Sequence, residues 1–421
     1  MNRRLLIVAP HFAPISAPDG QRARMLVPHF HELGWQPHLL TVDPAGSDAP
    51  LESDLLQTLP PDLPVTRVSA ISTQRSRLLG LGNIAWRAWP ALKAAGDRLL
   101  AGQRFDLIYF STTQFACLPL GRLWQRAHDV PYVIDLQDPW RSDYEHAPGT
   151  RPPGGWKYRF ASLQARLLEP WTLRHCAGVI AVSPAYLDAL ARRYRWWQPV
   201  RGRSIPMGWS ERDFDVALKL SPPGAIDPSL IRYIGRLGPD LERTLEVFLA
   251  GFALARQQAP ASALRCDFRG GSYAPGVTAG PVGRIARQLH VSAAVEENAS
   301  RIPYLASLAA LRTAGANLIL GSDDRGYAPS KVWLTLAARR PWLALAHRGT
   351  VLHHLLFPHV GAAGRLVDPG DPDASAAVAD FCLSLDRSAT GCADDRLLAT
   401  FETRELARLH ADFFARLIEP R

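Results

Sequence analysis

Residues 5–22 read LLIVAPHFAPISAPDGQR, an unbroken apolar run from Leu5 to Ala9 that ends at Pro10 in a loop carrying Pro10, Pro14, Pro18 and Gly20. A run of that length without alternation is the pattern of a strand covered on both faces, as in a parallel sheet. Beyond the loop, apolar spacing from about residue 22 to 33 predicts a helix closed by Gly34, and residues 38–42 predict a second strand. The chain therefore opens with a β-loop-α-β unit. Gly20 has two readings: it lets backbone N–H groups approach an anion at a helix start, or it merely permits a turn.

Working outward, the same rhythm returns at residues 106–110, 132–136 and 178–182, each a short apolar strand ending in polar or small residues. Both periodicities fail over 206–228, where Pro206, Pro222, Pro223 and Gly224 interrupt them, and this stretch is read as an interdomain linker. A second set follows: strands at 230–235, 264–268, 317–320 and 342–346, with helices at 243–258 and 331–338. The expected fold class is α/β, with two tandem Rossmann-like domains, 1–205 and 229–398, facing a cleft. The last segment, 399–421, carries Leu406, Leu409, Phe413, Phe414 and Leu417 at helical spacing and is expected to pack back on the first domain. Ligands of such sheets bind at the carboxyl ends of the strands.

Composition narrows the class. The 421 residues are 47% hydrophobic and 21% charged, which excludes a disordered chain and a multi-span membrane protein. The net charge of +9 suits phosphorylated ligands or an anionic surface, but only four cations are lysines (Lys93, Lys157, Lys219, Lys331), a bias that reads as coding composition and not as a nucleic-acid footprint. Five cysteines (117, 176, 266, 382, 392) form no C-x-x-C and are expected to be reduced thiols in the cytoplasm. The opening apolar run is too short for a secretory signal, and no stretch reaches the roughly 18 apolar residues of a membrane span. Segments 74–104, 156–166 and 192–203 mix basic residues with tryptophan. They are either peripheral contacts to an anionic membrane surface or ordinary solvated helix faces over core tryptophans.

Six segments in order, PHFAPISAPDGQR (10–22), PYVIDLQDPW (131–140), GVIAVSPAY (178–186), IPMGWSERDF (205–214), YIGRLGP (233–239) and PSKVWLTLAARRPWLAL (329–345), cover nearly the whole chain. Together they resemble the family-4 retaining glycosyltransferases of the GT-B fold. The resemblance implies transfer of a sugar from a nucleotide-diphosphate sugar to a glycan or lipid-linked acceptor with retention, and neither a cofactor nor a metal. It makes Arg236, placed after a buried strand, a diphosphate ligand, a role its planar fork suits, with a surface salt bridge as the plain alternative. Ser330 and Lys331 would contact the same donor. On the first domain, Gly20, Gln21 and Arg22 would line the acceptor side, while Asp138 would orient the acceptor hydroxyl or take its proton. Asp135 is its rival, and Gln137 stands where the family has a histidine.

The departures from the family are equally specific. The glutamate that commonly holds the donor ribose falls at Leu334, its partner carboxylate at Gly326, and a common lysine at Leu241; Asp323, Asp324 and Arg243 are the available substitutes. Such losses leave a noncatalytic scaffold of a glycan-assembly complex, or a sugar-nucleotide epimerase of the same fold, as rivals. His353, His354 and His359 lack zinc-helix spacing, and no Walker loop, G-x-S-x-G or H-E-x-x-H occurs.

Overall fold

The computed structural model describes residues 3–78, 82–141, 155–222, 224–270, 280–324, 331–361, 364–385 and 395–419. The chain divides into two compact units, residues 1–207 with 403–421, and residues 208–402.

The first unit holds a seven-stranded sheet of β1 (Arg3–Val8), β2 (Trp35–Val42), β3 (Val65–Val68), β4 (Leu107–Ser111), β5 (Tyr132–Leu136), β6 (Gly178–Ala181) and β7 (Gly202–Ser204). Their order is β3-β2-β1-β4-β5-β6-β7, every pair parallel. One face packs Leu6, Phe110, Ile134 and Val179 against Leu92, Trp124 and Leu190 of the covering helices. The other is covered by the helices Pro18–Phe30 and Thr403–Ile418, where Phe414 lies 5.1 Å from Tyr109 and 5.6 Å from Trp35, ring to ring. A Cβ on Gly178 would meet Phe413 at 2.8 Å, so only glycine lets β6 run beneath that last helix.

The second unit holds a six-stranded parallel sheet of β8 (Asp227–Ile234), β9 (Arg265–Arg269), β10 (Val295–Asn298), β11 (Ala314–Leu320), β12 (Trp342–Leu345) and β13 (Gly364–Val367), in the order β10-β9-β8-β11-β12-β13. Its main core joins Ile231, Phe268, Leu318 and Leu343 to Phe248, Phe252 and Val378. Each sheet reverses its strand order once, between β1 and β4 and between β8 and β11. Those reversals are the switch points at which ligands of such sheets generally bind.

Two sequence expectations change. The strands that the apolar runs did not reveal are β3, β7, β10 and β13, and all four are sheet edges. Their side chains are largely half-exposed or exposed, so they carry Thr, Arg, Glu and Asn in place of a continuous apolar run. The stretch read as a linker, 206–228, carries the helix Glu211–Leu220, its first turn capped by the Ser210 hydroxyl accepting from the Asp213 N–H at 3.2 Å. It belongs to the second unit, where the Trp209 indole donates to the Leu398 carbonyl at 2.8 Å. Among the described residues no helix is long and apolar enough to cross a membrane.

Candidate active site

At the switch point of the first unit, the loop after β1 turns His11 onto Asp19, the second residue of the helix Pro18–Phe30. His11 Nδ1 donates to Asp19 Oδ1 at 2.9 Å, while Oδ2 accepts from the Thr112 hydroxyl at 2.8 Å and the Thr113 N–H at 3.4 Å. Burial works against the Asp19 charge, but the His11 bond and charge, with the Thr112 and Thr113 donors, prevail and hold its pKa below the ordinary value. Gln137 closes the ring: its amide donates to the Asp19 carbonyl and to the Ser111 hydroxyl, each at 3.1 Å.

Behind this rim lies a sealed polar network. Asp135 is fully buried and its Oδ2 accepts from Tyr109 at 2.7 Å and Ser111 at 3.2 Å, with Arg22 Nε 2.9 Å away. Arg22 also donates to the carbonyls of Ile205 at 2.8 Å and Pro206 at 3.1 Å and to His410 Nε2 at 3.2 Å. His410 in turn points Nδ1 at the Leu406 carbonyl at 2.6 Å, so its Nε2 is the acceptor. Burial and then the Arg22 charge push the His410 pKa far down, which keeps the ring neutral. Burial pushes the Asp135 pKa up, opposed by Arg22, Tyr109 and Ser111.

The sequence-derived acceptor residues are thus redistributed. Arg22 faces inward and ties Asp135 of β5 and the chain after β7 to the last helix. Gly20 is packed against the loop, where a Cβ would sit 2.6 Å from the His11 carbonyl oxygen. Its N–H bonds to the Ala17 carbonyl at 3.2 Å within the turn. Gln21 accepts from Arg24 Nε at 2.8 Å. Asp135, the rival to Asp138, is a structural anion. Asp138 itself is exposed at the carboxyl end of β5. The surrounding protein and the Asp19 carboxylate raise its pKa. The sequence reading passed over His11, Asp19 and Thr112; an acid in the first turn of a helix behind a proline-rich loop was the available signal.

In the second unit, Arg236 follows β8 and its two terminal nitrogens donate to the two Asp240 oxygens, each at 2.7 Å. Asp240 also accepts from the Ser322 hydroxyl at 2.7 Å, and its carbonyl from the Asp323 N–H at 2.9 Å, which links the β8 and β11 loops. Arg236 above all, then Ser322, draws the Asp240 pKa down against partial burial. A Cβ on Gly238 would strike both Arg236 Nη1 and Asp240 Oδ1 at 2.5 Å, so that glycine makes the fork possible. His347, after β12, stands 3.3 Å from Asp323 and 3.5 Å from Asp368. The Ser322 hydroxyl caps its own turn, accepting from the Asp324 N–H at 3.0 Å. Arg243 is exposed in the first turn of the helix Glu242–Gln258. Lys331 opens the helix Lys331–Ala337, and burial, with the Arg301 charge, lowers its ammonium pKa. Ser330 and Gly326 lie outside the described residues. Leu334 and Leu241 are buried, 8% and 1% exposed, so neither position offers a polar group.

Two parallel sheets, each with its polar loops at the reversal of strand order, are the architecture of the two-domain GT-B glycosyltransferases. The sequence profile of the glycosyl transferase 4-like domain matches residues 20–208. That stretch is similar to a glycosyl transferase 4-like domain. Among solved structures, the chain is similar to sucrose-phosphate synthase from Thermosynechococcus elongatus, with 16% identity, 99% of each chain covered and a TM-score of 0.61. It is also similar to the UDP-forming α,α-trehalose-phosphate synthase from Burkholderia xenovorans, with 14% identity, 99% of this chain and 100% of that one covered and a TM-score of 0.59. The UDP-GlcNAc 2-epimerase from Methanocaldococcus jannaschii shares the fold at 9% identity, covering 99% of this chain and 100% of that one, with a TM-score of 0.54. No curated protein sequence matches the chain. At these identities the structural likeness speaks for the fold. The matched stretch contains Arg22, Asp135, Gln137 and Asp138.

Proposed function

We propose that the chain transfers a sugar, with retention, from a nucleotide-diphosphate sugar to a glycan or lipid-linked acceptor in the building of a cell-surface polysaccharide or glycoconjugate, using no metal ion. The observation that carries this reading is the accessible carboxylate of Asp138, just past β5 in the stretch that matches the glycosyl transferase 4-like profile, beside a rim of fixed polar groups.

In this reading Asp138 orients the acceptor hydroxyl and, with its raised pKa, is a better proton acceptor than an ordinary aspartate. Gln137 is a positioning residue, since its amide is already spent on Asp19 and Ser111. Arg236 and Lys331 bind the donor diphosphate, with Ser330, Arg243, Asp323 and Asp324 around them; Asp240 pre-sets the guanidinium plane for two oxygens at once. Attack occurs on the face from which the diphosphate departs: the acceptor oxygen bonds to the anomeric carbon as that carbon's bond to the diphosphate oxygen breaks, and the acceptor proton passes to Asp138.

A second reading, a noncatalytic scaffold, draws on Leu334 and Leu241, buried apolar side chains where the family commonly has charged donor ligands. Calorimetry with UDP, GDP, TDP, ADP and CMP separates the two. The transferase reading expects one nucleotide to bind at micromolar strength and Lys331→Ala to weaken it about tenfold. No binding by any of the five favours the scaffold.

A further inference from the structure

The helix Trp156–Leu173 connects β5 to β6 and turns Ala165, Glu169, Thr172 and Leu173 inward. Its outer side shows the reverse of the usual pattern. Phe160 is 49% exposed, Leu163 54% and Leu167 63%, and their spacing of three and four residues sets them on one stripe. Trp171 continues the line one turn on, half-buried, with the Arg122 guanidinium 4.5 Å over its ring.

Exposed arginines stand beside this ridge. Arg159 and Arg166, seven residues apart and both exposed, run along one flank. At the carboxyl end of the helix, Arg174 and Arg126 are exposed. Burial, together with the charges of Arg122, Arg174, Arg201 and Arg126, depresses the His175 imidazole just past the helix. The one acid of the helix, Glu169, is turned away from the ridge and held by Arg193 at 3.0 Å. An interface between protein copies needs about 800 Å² per partner. Three partly exposed side chains offer well under that, whereas a narrow apolar ridge edged by arginines matches the depth and sign of an anionic bilayer surface.

We propose that this helix face docks the protein on an anionic lipid bilayer, with Phe160, Leu163 and Leu167 entering the boundary between headgroups and acyl chains and the arginines at headgroup level. The docking stands independently of the transfer chemistry.

Co-sedimentation of the full chain with phosphatidylcholine vesicles, with and without phosphatidylglycerol, tests it. The expected result is partitioning at least about tenfold stronger onto the anionic vesicles and weakened by salt. Phe160→Ser, Leu163→Ser and Leu167→Ser together lower it about tenfold or more. Arg126→Gln with Arg174→Gln lowers it about fivefold per arginine. If the triple variant melts early by circular dichroism, the arginine pair, both residues exposed, decides. Equal binding to both vesicle types, or unchanged binding of the folded variants, overturns the proposal. So does a dimer in solution that the triple variant dissolves while vesicles go unbound, which would make the ridge an interface between copies.

Discussion

Arg22 and Asp135 form an ion pair at 2.9 Å with side chains 3% and 0% exposed, and the same guanidinium reaches His410 on the last helix. A buried pair of this kind costs little while complete and much when half of it is removed, because the remaining charge has neither water nor a partner. Arg22→Met is expected to destabilise the first unit by about 3–5 kcal/mol, read as a fall in the urea midpoint. Arg22→Met with Asp135→Leu recovers part of that loss. A change under about 1 kcal/mol in the single variant contradicts the assignment.

His410 gives stability a specific pH dependence. Its folded pKa lies well below 6.5, so below pH 6.5 the unfolded chain takes up a proton that the folded one refuses. The contribution is fully present above 6.5 and is lost progressively as pH falls toward the folded value. Urea midpoints of the parent chain therefore decline as pH drops below 6.5, and His410→Gln flattens that limb. Parallel curves for the two would remove His410 as the cause.

Gly20→Ala places a methyl 2.6 Å from the His11 carbonyl, a backbone atom with no side chain to swing aside. The expected cost is about 1–3 kcal/mol, together with slower transfer, since the shift displaces His11 and Asp19. A melting temperature equal to that of the parent would show the loop gives way freely.

Much of this was legible in the sequence wherever strands are covered on both faces. β5 was read at its observed bounds and β1, β4 and β12 nearly so, because burial on two sides demands an unbroken apolar run. Edge strands such as β10, Val-Glu-Glu-Asn, carry no such demand. The site was legible in position more than in role. Arg22 lies in the segment that carries the resemblance, yet whether a conspicuous arginine faces a ligand or the core depends on the distant His410 and Ile205, which no local pattern encodes. Asp135 and Asp138 are three residues apart, yet Asp135 lies inside β5 and is fully buried whereas Asp138 lies past the strand's end and is exposed.

The raised pKa of Asp138 has a kinetic counterpart. If its carboxylate must be ionised to orient or deprotonate the acceptor, kcat/KM rises with pH through a value above the ordinary aspartate range. Asp138→Asn is expected to lower kcat by about 10²–10⁴-fold while the donor KM changes little. A variant that keeps the parent's rate and pH profile would assign the proton elsewhere.

The most direct measurement is the release of nucleoside diphosphate from a panel of nucleotide sugars, with and without an extract of lipid-linked glycans, for the parent chain and Asp138→Asn. The account predicts release from one donor that depends on the extract, with the sugar recovered on the acceptor and the rate all but lost in the variant. Sugar nucleotides left intact by the parent chain in every combination, or altered equally without any acceptor, would contradict glycosyl transfer.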